Sequence, residues 1–325
     1  MWLVRFLTEA CCFNAMNRPS VAFVLGAGLG TRLRALTAHL PKPLLPVCNQ
    51  PLITRAFAHL RAAGVSRFVV NTHWQAQAYG QAFPRGEWEG LPVGFSHESP
   101  EVLETAGGLK QAQGLLPAGE PFWVYNGDIL STLPLQEAWE AHRRAGNEVT
   151  LVLRSKDGPL QVSLDAGSGR ILDLGCRLQP GRPAEFLFTG IYLVEPAFLE
   201  RIPAGEKLSV VPVFLEMIRE GAALGGVVVD GGEWWDLGTR EQVLAVHSAL
   251  AAEGAPWLAP DALVDQSASL GGATAVGAGA EVGAGVFLED TVVWAGARIL
   301  PGAELRRCIV TAGAVVSGTH TDADL

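Results

Sequence analysis

Val21, Ala22, Phe23, Val24 and Leu25 form an apolar run without polar alternation, the pattern of a parallel strand covered on both faces. Residues 52–63 repeat apolar positions at helical spacing and stop at Gly64, and residues 67–71 (R-F-V-V-N) predict a second buried strand leading into His73 and Trp74. This is a strand, helix, strand unit. Further strands are predicted at 92–97 and 121–125, the second stopping at Asn126, Gly127 and Asp128, with a helix over 106–115 between them. A helix over 135–145 precedes residues 149–154, and a hairpin is predicted around Gly167, Ser168 and Gly169 before a strand at 187–194. A helix over 211–220, a strand at 226–229, a turn at Gly231 and Gly232 and a helix over 240–252 complete this region. Strands alternating with helices imply an α/β fold with a mostly parallel sheet, whose ligands bind outside the carboxyl ends of the strands.

Beyond Pro260 the period changes. One apolar residue recurs every sixth position, at Val264, Leu270, Val276, Val282 and Leu288, then after one shortened step at Val293, Ile299 and Leu305. Branched apolar residues in register, with small residues between them, predict a parallel β-helix of roughly three coils, because a flexible glycine-rich linker has no reason to keep that register. The expected layout is an N-terminal extension (1–18), a catalytic domain (19–252), a linker (253–260), the β-helix (261–317) and a loose tail (318–325).

The most informative chemistry lies just after the first strand. Gly26, Gly28 and Gly30 allow backbone N–H groups to approach an anion, Arg32 adds a planar fork suited to phosphate oxygens, and Lys42 is a point charge narrowed in position by Pro41 and Pro43. A dinucleotide-binding turn would need glycine or alanine where Thr31 stands, so that reading fails. Leu25 to Thr37 with Pro41 to Pro43 resembles the signature of the sugar-1-phosphate nucleotidylyltransferases, L-A-A-G-x-G-T-R-L-x-P-L-T followed by P-K-P. Gly26 replaces the family's usual alanine and Ala35 its usual proline, neither a side chain expected to touch substrate.

That resemblance implies a Rossmann-like, GT-A-like catalytic sheet followed by a short left-handed parallel β-helix. It implies Arg32, Lys42 and Asp128 as catalytic residues, and Leu25, Ala27, Gly28, Gly30, Thr31, Thr105 and Gly108 as the nucleotide cradle. Asn126 and Gly190 would face the sugar, the latter in T-G-I-Y, which is similar to the family's N-A-G-I-Y. Asp128, in Y-N-G-D, and Asp236, in W-W-D-L-G-T, resemble the two carboxylates that hold Mg²⁺, a cation that prefers oxygen ligands. The family's E-K-P lysine, which holds the sugar phosphate, has no clear counterpart; Arg177 and Arg182 are candidate substitutes. Asn71 and His73 end a strand on the same edge, where His73 reads better as a structural histidine, and most of the tryptophans read as packing.

The implied partners are a nucleoside triphosphate and a sugar 1-phosphate. The expected reaction is direct attack of the sugar phosphate on the α-phosphorus with release of pyrophosphate, without a covalent enzyme intermediate. The hexapeptide extension leans toward mannose 1-phosphate with GTP, ahead of N-acetylmuramate 1-phosphate with UTP, which L-E-T-A-G-G at 103–108 resembles, and glucose 1-phosphate with UTP or dTTP. The rival of another class is a non-catalytic regulatory subunit, which would be expected to have lost one of Arg32, Lys42, Asp128 or Asp236; all four are present.

Composition limits the alternatives. The chain has 325 residues, 49% of them apolar, enough for more than one domain, and a formal charge of −9 that argues against a nucleic-acid or anionic-membrane surface. Five cysteines without metal-ligand spacing argue against a disulfide framework or zinc and suit a cytoplasmic protein. No apolar run approaches the ~20 residues that span a bilayer. Residues 1–15 are apolar but interrupted by Arg5 and Glu9, and read as an extension or misplaced start before Met16. An acyltransferase role for the repeat would need a base, and the only histidine there is His320, so a structural or homo-oligomerising role is expected.

Overall fold

The computed structural model describes residues 18–28, 30–251 and 257–325. The expected N-terminal extension up to residue 17 and the Gly254-Ala255-Pro256 part of the linker lie outside the described residues. The described residues form two compact units, one made of residues 18–28 and 55–234, the other of residues 30–54, 235–251 and 257–325.

The first unit is built on an eight-stranded sheet. Its strands in chain order are β1 (Val21–Leu25), β2 (Arg67–Thr72), β3 (Glu87–Trp88), β4 (Leu91–His97), β5 (Phe122–Asn126), β6 (Val149–Arg154), β7 (Leu187–Val194) and β8 (Leu224–Val228). Across the sheet they run β8-β6-β7-β5-β1-β2-β4-β3, with only β7 and β3 reversed. This is the mostly parallel sheet that the unalternating apolar runs predict: Ala22, Phe23, Val24, Phe68, Val70, Val124 and Tyr125 are all completely or almost completely buried. The carboxyl ends of β1, β2, β4, β5 and β6 therefore lie on one edge.

Helices begin and end on local signals. The helix Leu52–Ala62 agrees with the expected 52–63 within one residue. The helix Leu135–Ala145 stops at Gly146, whose φ of 59° gives the left-handed termination a glycine favours. The helix Val210–Arg219 is capped by Ser209, whose side chain accepts from the Val211 N–H. The helix expected over 106–115 begins earlier, at Glu104, and changes to 3₁₀ geometry over Ala112–Leu115. The hairpin at Gly167–Gly169 is present, Val162–Leu164 pairing antiparallel with Ile171–Leu174.

The second unit contains a short parallel β-helix of three four-stranded parallel sheets. Leu263 pairs with Glu281 eighteen positions on, and Glu281 with Arg298 seventeen on, so one coil consumes three six-residue steps, one of them shortened. Val276, Val282, Leu288, Val293, Ile299 and Leu305 point into its buried core, as the six-residue period predicts. There are four strands per sheet rather than roughly three coils, because the helix extends at both ends beyond the regular apolar pattern. Trp257–Leu258 pairs with Ala275–Val276 upstream of residue 261. Downstream, Thr319–Thr321 pairs with Glu304–Arg306, so residues 319–321, expected as a loose end, are a strand. His320 stands opposite Leu305, and a polar residue at the inward position hides that last turn from a search for apolar period.

Residues 29–54 group with the C-terminal unit for reasons visible in its own bonds. The Cys48 N–H donates to His247 Nε2 at 3.1 Å, and the Asn49 amide donates to the carbonyls of Trp257 and Val276, each at 2.9 Å. Among the described residues, no helix is long and apolar enough to cross a membrane.

Candidate active site

In the first unit the turn after β1 is held by two bonds to Gly26. Its N–H donates to Asn71 Oδ1 at 2.8 Å, and its carbonyl accepts from the Tyr79 hydroxyl at 2.8 Å. The Asn71 amide donates in turn to Glu98 Oε1 at 2.7 Å, and Glu98 Oε2 accepts from the Leu103 N–H at 2.7 Å. Asn71 and Glu98 are buried, the latter completely. This network ties the end of β1 to the end of β2 and to the segment entering the helix Glu104–Gln111. Burial, reinforced by the nearby Asp128 carboxylate, pushes the Tyr79 hydroxyl far above its ordinary range, so it stays a neutral donor. A Cβ at position 26 would lie 2.6 Å from the Asn71 carbonyl and 2.8 Å from the Tyr79 oxygen. Glycine in place of the family's usual alanine is therefore what the close approach of the Asn71 carbonyl, the Val70 side chain and the Tyr79 hydroxyl demands.

Asp128 follows β5 by two residues and is half-buried. The preceding Gly127 donates its N–H to the Leu25 carbonyl at 3.0 Å, which fixes Asp128 beside the end of β1. Asn126 packs on Gly190 of β7: a Cβ there would come 2.4 Å from the Asn126 amide nitrogen, and φ at Gly190 is 78°. Asn126 and Gly190, read from the sequence as sugar-facing, are thus direct neighbours.

In the second unit Gly30 adopts a φ of 61° and opens a 3₁₀ helix, Thr31–Thr37, whose Thr37 hydroxyl donates back to the Gly30 carbonyl at 2.9 Å. Thr31 and Arg32 are exposed. A second short 3₁₀ turn, Lys42–Leu44, buries Lys42 between buried Pro41 and Pro43. From that position Lys42 Nζ donates to Asp236 Oδ1 at 3.3 Å, while Arg32 Nη2 lies 3.7 Å from Asp236 Oδ2. The Lys42 side chain is 6% exposed and Arg32's is 65% exposed, so one cation is built in and the other reaches into solvent. Three residues that the sequence motifs single out separately come together here.

Other expected positions have different employment. The Thr105 hydroxyl accepts from the Val210 N–H at 2.7 Å, at the start of the helix Val210–Arg219. A Cβ at Gly108 would lie 2.3 Å from Glu98 Oε1, so the small residue there admits a buried protein carboxylate. His73 Nδ1 is bonded to the Glu98 carbonyl at 2.9 Å, the structural use expected for it. Leu25 is half-buried, Ala27 buried and Gly28 exposed at the sheet edge. Arg177 is exposed, and Arg182 donates to Gln179 Oε1 at 2.9 Å. Trp123 is buried, whereas Trp74 is 42% exposed.

Sequence reasoning missed Glu98, Tyr79 and Arg154. Arg154 is a buried cation at the carboxyl end of β6, paired with Asp157 and donating to the carbonyls of Gly231 and Gly232. An arginine ending an otherwise apolar strand, V-T-L-V-L-R, was the available signal. The turn it holds leads to Trp234, whose indole N–H donates to the Thr189 carbonyl at 3.0 Å, beside Gly190.

Residues 21–253 match the family model described as nucleotidyl transferase. The chain belongs to that family. It is 32% identical over 288 residues to the mannose-1-phosphate guanylyltransferase of Mycobacterium tuberculosis, covering 84% of this chain and 79% of that protein. It is 31% identical over 218 residues to the N-acetylmuramate alpha-1-phosphate uridylyltransferase of Neisseria meningitidis, covering 67% of this chain and 93% of that protein. The inositol-1-phosphate CTP transferase structure from T. maritima shares the fold with a TM-score of 0.61 at 18% identity, covering 74% of this chain and 99% of that one.

Proposed function

We propose that this nucleotidyl transferase joins a sugar 1-phosphate to a nucleoside triphosphate, and that its pair is mannose 1-phosphate with GTP. The observation that carries the reaction is the Lys42, Arg32 and Asp236 cluster, assembled from the family's own motifs around one carboxylate. The sugar is supported by extent of similarity. A match over 84% of the chain exceeds the 21–253 segment and takes in part of the β-helix, whereas the uridylyltransferase match spans 67%. The second reading, N-acetylmuramate 1-phosphate with UTP, is favoured by the L-E-T-A-G-G segment at 103–108.

In this reading an oxygen of the sugar phosphate attacks the α-phosphorus, an O–P bond forms, and the bond to the β-phosphate breaks with its electrons leaving on pyrophosphate. Negative charge builds on the departing pyrophosphate along this path, so fixed cations near the leaving group lower the barrier. Arg32, with its exposed fork, binds phosphate oxygens, and Lys42, held rigidly, supplies a positioned charge. Asn126 and Gly190 form the floor against which the sugar is oriented. Asp128 and Asp236, which the family resemblance implies as Mg²⁺ ligands, are each a half-buried carboxylate, a hard oxygen donor of the kind that cation takes. Such an ion would supply neutralisation of phosphate charge.

The test is pyrophosphate release from each of the four NTPs and dTTP against mannose, N-acetylmuramate and glucose 1-phosphates, with and without Mg²⁺. Highest kcat/KM for GTP with mannose 1-phosphate supports the reading. Preference for UTP with N-acetylmuramate 1-phosphate replaces it by the second, and no turnover with any pair returns the regulatory-subunit reading.

A further inference from the structure

Strands β6 and β7 pair with a break in register. Phe188 stands opposite Leu153 and Tyr192 opposite Leu151, so residues 189–191 stand against Val152 alone and form a bulge, a device that re-aims a strand beside a site. Gly190, with its φ of 78°, lies in the middle of the bulge. The Thr189 hydroxyl pins it, donating to the Val152 carbonyl at 2.8 Å and accepting from the Ile191 N–H at 3.2 Å. From the other side the Trp234 indole N–H donates to the Thr189 carbonyl at 3.0 Å. The bulge sets where Gly190 stands against Asn126, and Trp234 braces the bulge.

Trp234 is placed in turn by residues 230–233, which are held on three sides. Arg154, opposite Leu187 where β6 ends, donates from Nη1 to the Gly231 carbonyl at 3.5 Å, and from Nη1 and Nη2 to the Gly232 carbonyl, each at 3.3 Å. Asp230 accepts from the Ser155 N–H at 2.9 Å and from the Ser155 hydroxyl at 2.7 Å. The Glu233 N–H donates to Thr132 Oγ1 and the Thr132 N–H to the Glu233 carbonyl, each at 2.9 Å.

Arg154 is poorly suited to stabilising this turn for stability's sake. Its side chain is 1% exposed, and its Nε is buried without a partner among the described residues, while its partner Asp157 is 40% exposed. A buried guanidinium with an unmet donor adds little net stability over an apolar side chain of similar length. What it does supply is direction, because a planar fork fixes two carbonyls at once.

We propose that Arg154 is a positioning residue for the sugar side of the site: acting through the 230–233 turn, Trp234 and the Thr189 bulge, it sets affinity for the sugar phosphate without touching it. This rests on the reading of Asn126 and Gly190 as the floor for the sugar.

The experiment measures KM for the sugar 1-phosphate and for the nucleoside triphosphate, using the pair that the wild type turns over best. The variants are Arg154→Met, Arg154→Lys, Trp234→Phe and the double variant Arg154→Lys with Trp234→Phe, with Asn126→Ala as the reference for the sugar side and urea midpoints as the folding control. Arg154→Met is expected to raise the sugar-phosphate KM about tenfold and the nucleotide KM less than about twofold, with a midpoint close to the wild type's. Arg154→Lys keeps the charge and loses the fork, so it is expected to recover part of the affinity. If Arg154→Met does not fold, the same split between substrates in Arg154→Lys carries the test. Trp234→Phe keeps an aromatic ring and removes the indole donor, so the double variant is expected to be little worse than the worse single variant, both changes breaking one chain of contacts. Equal rises in both KM values, no rise in either, or fully multiplicative effects in the double variant would overturn the proposal. An unaltered sugar-phosphate KM in Asn126→Ala would instead overturn the reading of the sugar floor, and the proposal with it.

Discussion

Lys42 Nζ stands 3.3 Å from Asp236 Oδ1, an interaction between residues 194 positions apart in the chain. Lys42 is nearly buried, and taking an ammonium out of water is costly unless a carboxylate answers it. Asp236 supplies such a carboxylate, with Arg32 at 3.7 Å on its other oxygen.

Lys42→Ala is expected to lower kcat/KM on the order of 10²–10³-fold, the usual cost of removing one preorganised charge stabiliser. Asp128→Asn is expected to lose activity comparably. Both variants are expected to keep the wild-type circular dichroism spectrum. Retained turnover in either would remove that residue from the reaction.

Asn71→Ala removes the acceptor for the Gly26 N–H and the donor for Glu98 Oε1 together. Because Glu98 is fully buried, leaving its Oε1 without a donor while Oε2 keeps the Leu103 N–H is expected to cost about 1–3 kcal/mol of stability. Urea unfolding monitored by fluorescence measures it, and a loss under about 1 kcal/mol would show that water replaces the amide.

Gly190→Ala forces a side chain into a φ of 78° and toward the Asn126 amide at 2.4 Å. A destabilisation of about 1–3 kcal/mol is expected, together with a raised KM for the sugar phosphate and a smaller change in KM for the nucleotide. Equal changes in both would place this contact outside the sugar side.

His59 and His142 make stability fall on acidification. Desolvation lowers the pKa of each below 6.5, opposed at His59 by its bond to the Leu133 carbonyl and at His142 by Glu195. The unfolded chain therefore takes up protons that the folded chain resists, so stability is full above pH 6.5 and declines below it, by at most about 1.4 kcal/mol per pH unit per histidine. Urea midpoints between pH 7.5 and 5.5 show this slope in the wild type. It is expected to be shallower in His59→Gln, and an unchanged slope would assign the effect to other groups.

Much of the sheet was legible because its strands are continuous apolar runs, and a strand buried on both faces leaves no other pattern. The β-helix was legible from its six-residue period for the same reason, and its last coil was not, because His320 takes the inward place opposite Leu305. The cationic motif around Arg32 and Lys42 could be read from residue type and spacing. Glu98 could not, since an isolated glutamate after a strand has the signature of an ordinary surface residue until Asn71 and Leu103 are seen bonded to it.

By itself the sequence determined the family, the mostly parallel sheet, the repeat, and the residue types and spacings that point to phosphate-binding and carboxylate chemistry. These are properties of residue type, local order and period, which act over a few positions of the chain. Only the tertiary structure decided that Asp236 pairs with Lys42, that Gly26 must lack a side chain because the Asn71 carbonyl, Val70 and Tyr79 crowd it, and that the space beside Gly108 belongs to Glu98. Those are contacts between distant segments at 2–4 Å, where excluded volume and the cost of an unpaired buried charge act, and neither leaves a trace in local order.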